Sequence, residues 1–354
     1  MKNETHCIGL MSGTSLDGVD VCYCSFEKKK TKWEYQIIEN KTFPYSEIWK
    51  DRLVGAPKLS GTELSRLHLE YGSYLGELTK KFITKHKANP AFVSSHGHTI
   101  FHQPEKGITL QIGHGGSIAA STGITTICDF RTQDVKMGGQ GAPLVPIGDK
   151  LLFSEYDFCL NLGGFANISF EEKGKRKAFD ICPCNVVLNQ LSKTVGKDFD
   201  NNGALARKGS VNPKLLSELN KLKFYSLEAP KSLGREFVER NINPVINKHD
   251  NLNDTLRTFC EHIAFQIVSI INKNTTANSK MLITGGGAHN QFLTELIQKM
   301  CNAEIIIPDK RTVDFKEALV FAFLGLLRMN NQNNCLASVT GAKQDHCGGS
   351  VFLP

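Results

Sequence analysis

The chain has 354 residues, with 42 Lys and Arg against 35 Asp and Glu, a formal charge of +7. At 40% apolar and 22% charged residues the composition is that of a folded globular protein, which excludes a largely disordered chain and a fibrous repeat. The basic excess lies in lysine-rich turns such as Lys28–Lys30 and Lys173–Lys177, without interleaved aromatics, so nucleic-acid binding is not expected. From the N-terminus, Cys7–Met11 reads as a short apolar strand. It runs into a hydroxyl- and glycine-rich turn, Ser12–Gly18. Val19–Phe26 returns as an alternating strand, and a third follows near Trp33–Asn40, an antiparallel start. Ser60 and Glu63 form a capping box ahead of Leu64, Leu67, Tyr71, Leu75, Leu78 and Phe82, which predicts an amphipathic helix to about His86.

The middle of the chain alternates. Strands are expected at Ala91–Ser95, Ile108–Ile112 and Thr125–Phe130, with a short Ala-rich helix near Ser117–Ser121 and a glycine-rich loop at Gly138–Pro146. The second half opens as the first does. Phe158–Leu162 reads as a strand, followed by the Gly163–Gly164 turn, the strand Ala166–Phe170, a charged hairpin tip, and the strand Ala178–Ile181. Helices are expected from about Asn185, at Pro213–Lys223, Gly234–Asn241, Asp254–Asn274 and Phe315–Met329. Met281–Thr284 is a strand feeding Gly285–Asn290. With no low-complexity linker, the boundary between two packed lobes is placed near residue 150, giving lobes 1–150 and 151–354. No apolar run reads as a signal peptide or membrane span, and the eleven scattered cysteines contain no Cys-x-x-Cys. We expect reduced thiols in a cytoplasmic protein with no membrane partner.

Three glycine turns directly follow apolar strands: Gly13–Asp20, Gly163–Asn167 and Gly285–Asn290. Such junctions offer backbone N–H groups at a sheet edge, where phosphates bind. Three of them in one alternating α/β chain point to a nucleotide. None fits the lysine-bearing P-loop or the dinucleotide fingerprint.

The run Met11–Asp20 (Met-Ser-Gly-Thr-Ser-Leu-Asp-Gly-Val-Asp) resembles the opening signature of the anhydro-N-acetylmuramic acid kinases. The resemblance continues through Ser95–Gly97, Thr109–Gly113, Asp129–Arg131, Gly138–Pro146, Asn161–Ile168, Pro230–Glu236, Gly285–Asn290, Glu317–Ala318 and Val339–Ala342, in order along the whole chain. It implies the two-lobed α/β fold of the sugar kinase, actin and heat-shock chaperone ATPase superfamily. Each lobe would carry a mixed central sheet flanked by helices, with the active site in the cleft. It implies ATP and Mg²⁺ as cofactors, a small-molecule sugar as partner, and, at family level only, a homodimer. The implied reaction converts 1,6-anhydro-N-acetylmuramate, ATP and water to N-acetylmuramate 6-phosphate, a step of peptidoglycan recycling.

Carried over residue by residue, the resemblance makes Asp180 the base that activates water. It makes Arg131, His96 and Glu317 sugar contacts, Arg131 through a fork to the lactyl carboxylate. Gly13, Thr14, Ser15, Leu16, Asp17, Gly18, Val19 and Asp20, with Gly163, Gly164 and Asn167, would hold phosphates; Gly285, Gly286 and Gly287 would hold the adenosine side. No protein metal ligands are assigned. The chain departs from the family where Asp180-Ile181-Cys182-Pro183-Cys184-Asn185 replaces Asp-Thr-Gly-Pro-Gly-Asn, and where His98 replaces the usual Gln. The two cysteines motivate one alternative, a catalytically silent sugar- or nucleotide-binding homologue. The pair His98 and His102 motivates another, a metal-dependent carbamoyl transferase of the same superfamily, although Gly97 and Pro104 argue against the helix such a pair needs.

Overall fold

In the computed structural model, residues 4–13 and 15–354 are described. The chain forms two units, Met1–Leu152 with Phe315–Pro354, and Phe153–Asp314. The first break falls beside the expected boundary. The C-terminal forty residues, expected in the second lobe, belong instead to the first unit.

The first unit is built on a six-stranded sheet. Its strands are β1 (Glu4–Met11), β2 (Gly18–Lys29), β3 (Lys32–Pro44), β4 (Val93–Ser95) and β7 (Thr126–Cys128), with the C-terminal strand Ser350–Phe352 at one edge; β5 (His98–Gln103) and β6 (Ile108–Ile112) form a separate two-stranded hairpin. β1, β2 and β3 run antiparallel, β4 and β7 parallel to β1, and the C-terminal strand antiparallel to β7. Alternation along β1 sends Ile8 and Leu10 into a core with Leu67, Tyr71 and Leu75 of the helix Gly61–His86. That helix starts at the expected capping box, with both reciprocal bonds between Ser60 and Glu63 formed, and ends at Lys87 in a left-handed conformation.

The opposite face of β1 meets the helix Lys310–Met329, which is buried all round from Ala318 to Leu327. A side chain at Gly9 would collide with the Ala318 carbonyl, so only glycine allows this approach. Ser94 Oγ donates to the Phe321 carbonyl at 2.5 Å, and Phe323 packs on Phe26 and Trp33. These contacts explain why the C-terminal segment joins the first unit: its apolar helix supplies that sheet's second layer. Lys316 on this helix pairs with Asp149 of the helix Pro146–Leu152 at 2.7 Å, and both are buried.

The second unit repeats the scheme. β8 (Phe158–Leu162), β9 (Phe165–Glu172) and β10 (Lys175–Pro183) are antiparallel; β11 (Lys280–Thr284) and β12 (Glu304–Ile306) extend the sheet parallel to β8. The helix Leu252–Asn274 covers the expected Asp254–Asn274 and buries Leu256, Phe259, Ile263, Ile267 and Ile271 at helical spacing. The helix Glu47–Gly55 was not expected; its weakly apolar face leaves little periodic signal. No helix among the described residues is long and apolar enough to cross a membrane. The described cysteines are all unpaired, and most are buried fillers.

Breaking a buried ion pair by removing one partner leaves an uncompensated charge, at a cost of about 3–5 kcal/mol, whereas replacing both by apolar residues is often neutral. Lys316→Met should lower the denaturation midpoint of the chain, and Asp149→Leu added to it should restore most of the loss. Urea titration of the single and double variants checks this.

Candidate active site

The first turn joins β1 to β2. Ser12 is buried, and its Oγ lies 2.6 Å from Tyr45 Oη and 2.8 Å from His98 Nδ1; Tyr45 Oη lies 2.5 Å from Tyr71 Oη. This buried chain of hydroxyls pins the base of the turn. Burial holds His98 neutral, with its pKa pushed down to about 4. His98 thus anchors Ser12 instead of joining His102 in a metal pair. Both histidines lie on strand β5, and His102 is exposed. Leu16 sits at φ 63°, an uncommon conformation for a branched apolar residue, and its side chain packs against the core. That inward anchor leaves Ser15 and Asp17 exposed at the tip, with Gly13 half-exposed at the start. Gly18 and Val19 open β2, and Val19 is buried, so it offers only backbone. Asp20 Oδ1 accepts from Thr42 Oγ1 at 2.5 Å. Thr14 lies outside the described residues.

The other sites expected in the first unit form one network. Arg131 Nε donates to His96 Nε2 at 3.1 Å, Nη2 lies 2.9 Å from the same nitrogen, and Nη1 donates to the Gly141 carbonyl at 2.6 Å. His96 Nδ1 lies 3.0 Å from the Gly97 carbonyl. The imidazole therefore carries its proton on Nδ1 and accepts from Arg131 on Nε2, which requires it neutral. Burial, with the Arg131 charge added, holds the His96 pKa well below the usual range. Both His96 nitrogens are used within the protein, while the Arg131 fork keeps N–H groups beyond these bonds.

Glu317 lies two turns inside the helix Lys310–Met329, not at a helix start as expected, because the helix begins five residues before the predicted Phe315. Burial raises its pKa, opposed by the Lys316 and Arg131 charges and reinforced by Asp20. Asp20, Arg131 and Glu317 are therefore electrostatic neighbours.

The glycine loop Gly138–Gly141 and the segment Val339–Ala342 are seated on one buried residue, Asp134. Its Oδ2 accepts from the Gly141 N–H at 2.7 Å and its Oδ1 from Thr340 Oγ1 at 2.7 Å, while Gln140 N–H donates to the Thr340 carbonyl at 2.7 Å. A side chain at Gly139 would occupy the Asp134 carboxylate, which accounts for glycine there. Asp134 was not singled out from the sequence, although it lies inside the span between two recognised motifs.

In the second unit the expected residues gather at one end of the sheet. Asn161, Asn167 and Asp180 are register partners across β8, β9 and β10, and Asn161 pairs onward with Thr284 at the end of β11. The Gly163–Gly164 turn and Gly285 follow β8 and β11 at this same edge. Gly285 has φ 81°, and a side chain there would strike Asn161 and Leu162. Gly164 has open space around it, and Gly286 has only Asn185 Nδ2 near, at 3.9 Å, so backbone stays accessible to a ligand. The carbonyls of Gly163 and Gly164 accept from the first N–H groups of the helix Asn185–Lys193, at 3.2 Å and 3.1 Å, which fixes the hairpin to that helix. Asn185 Nδ2 adds a bond to the Leu162 carbonyl at 2.9 Å.

Asp180 stands at a bulge in β10, where the register shifts between Asp180 and Cys182. A bulge re-aims the side chain at the strand edge. Asp180 Oδ2 accepts from Leu233 N–H at 2.8 Å, and its own N–H donates to the Lys231 carbonyl at 3.1 Å. Burial raises the Asp180 pKa, partly opposed by the Leu233 N–H. The segment Pro230–Glu236, recognised in the sequence without a role, thus docks against Asp180 and desolvates it. Cys182 and Cys184, in place of the family's glycines, are fully buried in the core of this unit, and neither backbone is at positive φ. Burial pushes the Cys184 thiol up to about 12 and that of Cys182 well above its usual value. Both side chains are buried core fillers, and the Cys184 N–H donates to the Gly164 carbonyl at 2.9 Å, so the backbone at this position still closes onto the glycine hairpin.

The sequence pattern of the anhydro-N-acetylmuramic acid kinase family matches residues 5–354. An anhydro-N-acetylmuramic acid kinase of Hydrogenovibrio crunogenus is 34% identical over 98% of this chain and 98% of its own. One of Caldanaerobacter subterraneus subsp. tengcongensis is 33% identical over 99% of this chain and 98% of its own. Among solved structures, ligand-bound xylulose kinase from Lactobacillus acidophilus aligns with 99% of this chain and 94% of its own at 12% identity, TM-score 0.44. With a family match over nearly its full length, this chain belongs to the anhydro-N-acetylmuramic acid kinase family.

Proposed function

We propose that this protein uses ATP and water to convert 1,6-anhydro-N-acetylmuramate to N-acetylmuramate 6-phosphate, with Asp180 as the base. The observation that carries the assignment is the half-buried Asp180 carboxylate on its bulge, at the sheet edge that also carries the glycine turns. One oxygen is held by Leu233, which leaves Oδ1 for a water. Asp180 removes a proton from water as the water oxygen bonds to C1. The C1–O6 bond breaks, and O6 takes the γ-phosphoryl group as the bond from that phosphorus to the ADP oxygen breaks. The proton on Asp180 then passes to solvent. A general base of this kind contributes roughly 10²–10⁴-fold to rate.

The turns Gly13–Asp20 and Gly163–Asn167 suit phosphates through backbone N–H groups, and Gly285–Gly287 suits the adenosine side. Mg²⁺, when bound, offsets the charge of the triphosphate. The carboxylates of Asp17 and Asp20 at the first turn are hard oxygen donors of the type it takes, and they would hold it. The remaining N–H groups of Arg131 fit the lactyl carboxylate as a fork. His96, with both nitrogens engaged, acts by positioning Arg131. Glu317 is a sugar contact held in a partly desolvated setting. Such an enzyme belongs in the cytoplasm, where ATP is available, working on sugars released in peptidoglycan recycling, and a homodimer is its proposed assembly.

Incubation with ATP, Mg²⁺ and 1,6-anhydro-N-acetylmuramate should yield the 6-phosphate. Asp180→Asn should lower kcat by about 10²-fold or more with nucleotide affinity kept; near-wild-type turnover removes the assignment. Because the base must be ionised and burial raises its pKa, kcat should fall with decreasing pH through a value above the ordinary aspartate range. A pH–rate profile reads this directly.

A charged hydrogen-bonded pair contributes roughly 1.5–3 kcal/mol, so Arg131→Lys should raise KM for the sugar about 10- to 100-fold. The effect should vanish with an anhydro-sugar lacking the lactyl carboxylate. Equal losses on both sugars would remove the fork.

A further inference from the structure

Beneath the glycine loop of the first unit, Asp134, Cys335 and His346 bring one carboxylate oxygen, one sulfur and one imidazole nitrogen within 4.8 Å of one another, all three residues buried. Cys335 and His346 are held opposite each other by an isolated antiparallel bridge, with reciprocal backbone hydrogen bonds of 3.0 Å and 3.2 Å. Two of the ligand positions are therefore set by the backbone.

The imidazole tautomer sets which ring nitrogen faces the cluster. His346 Nδ1 lies 3.3 Å from the Gln344 carbonyl, an acceptor, so Nδ1 carries the proton and the Nε2 lone pair points into the cluster. Nε2 is buried and has no hydrogen-bond partner. It faces Asp134 Oδ1 at 3.7 Å, too far for a hydrogen bond. The Nε2 lone pair and the Asp134 carboxylate oxygen thus face each other as two electron-pair donors. Two ligands bound at about 2.0–2.1 Å to one tetrahedral ion stand roughly 3.3 Å apart, close to the observed spacing. The surroundings are those of a ligand shell as well. Thr340 Oγ1 donates to the same Asp134 oxygen at 2.7 Å, and the Gln344 carbonyl orients the imidazole.

We propose that Asp134, Cys335 and His346 bind one zinc ion as a structural site. The mixed sulfur, nitrogen and oxygen donor set selects Zn²⁺ over Mg²⁺ or Ca²⁺. The ion ties the C-terminal segment to the helix Thr132–Lys136 and, through Asp134, to the Gly141 loop that holds Arg131. The site is independent of the chemistry at Asp180.

The test uses the full-length chain without a histidine tag, grown with added zinc, dialysed, and analysed for metal by mass spectrometry. About one zinc per chain is expected in the wild type and in Cys301→Ser, a control on the half-exposed cysteine. Cys335→Ser and His346→Gln should each lose most of it while circular dichroism shows a folded chain. A metal-free wild type, or variants that retain its zinc content, would overturn the proposal. Should the variants fail to fold, cobalt-exchanged wild type decides: thiolate-to-cobalt charge-transfer absorption is expected, and a cobalt-loaded protein without it contradicts ligation by Cys335.

Discussion

The first unit depends on one buried carboxylate. Asp134 accepts from the Gly141 N–H and from the Thr340 hydroxyl, two groups about two hundred residues apart in sequence. An unpaired buried carboxylate is costly, so the chain must bring both donors to it. Two results follow. The glycine loop closes tightly around Asp134 with no room for a side chain at Gly139, which sets the Gly141 carbonyl where Arg131 donates to it. The C-terminal segment is drawn back onto the N-terminal sheet, where its last strand pairs with β7. Arg131 is then oriented from two sides, by Gly141 and by a neutral His96. The guanidinium owes its direction to hydrogen-bond accounting several residues away.

The second unit solves a related problem with backbone alone. Its hairpin glycines donate nothing from side chains; their carbonyls satisfy the helix Asn185–Lys193, and their open surroundings leave room for a ligand. Asp180 sits in the neighbouring strand on a bulge, and a loop lies over it. The loop supplies one hydrogen bond to the charged form and removes water. Those two effects oppose each other. Desolvation wins, which leaves a carboxylate more basic than one in water, as a base acting on water requires. The cysteines at 182 and 184 are buried in the apolar core of the same unit.

Much of this is legible in the sequence where the signal is local. The capping box at Ser60 and Glu63, the stripe of Leu64 to Phe82, the three glycine turns and the position of Asp180 before Pro183 all rest on neighbours within a few residues. What is not legible depends on distant partners. The assignment of Phe315–Pro354 to the first unit needs the packing of Ala318 onto Gly9, which no local pattern announces. The bond from Arg131 to His96 joins residues 35 apart in sequence, so it too is supplied by the fold. Asp134 and the cysteine and histidine beside it are far apart in sequence and have no metal-ligand spacing, so only the fold brings them together.

In the proposed reaction, water attacks the sugar while the phosphoryl group goes to O6. Turnover of ATP and 1,6-anhydro-N-acetylmuramate in ¹⁸O-labelled water, followed promptly by mass spectrometry, tests it most directly. One labelled oxygen is expected on the sugar carbon C1 of the 6-phosphate and none in its phosphate, with one ADP formed per product. Label in free phosphate with the sugar unopened would contradict it.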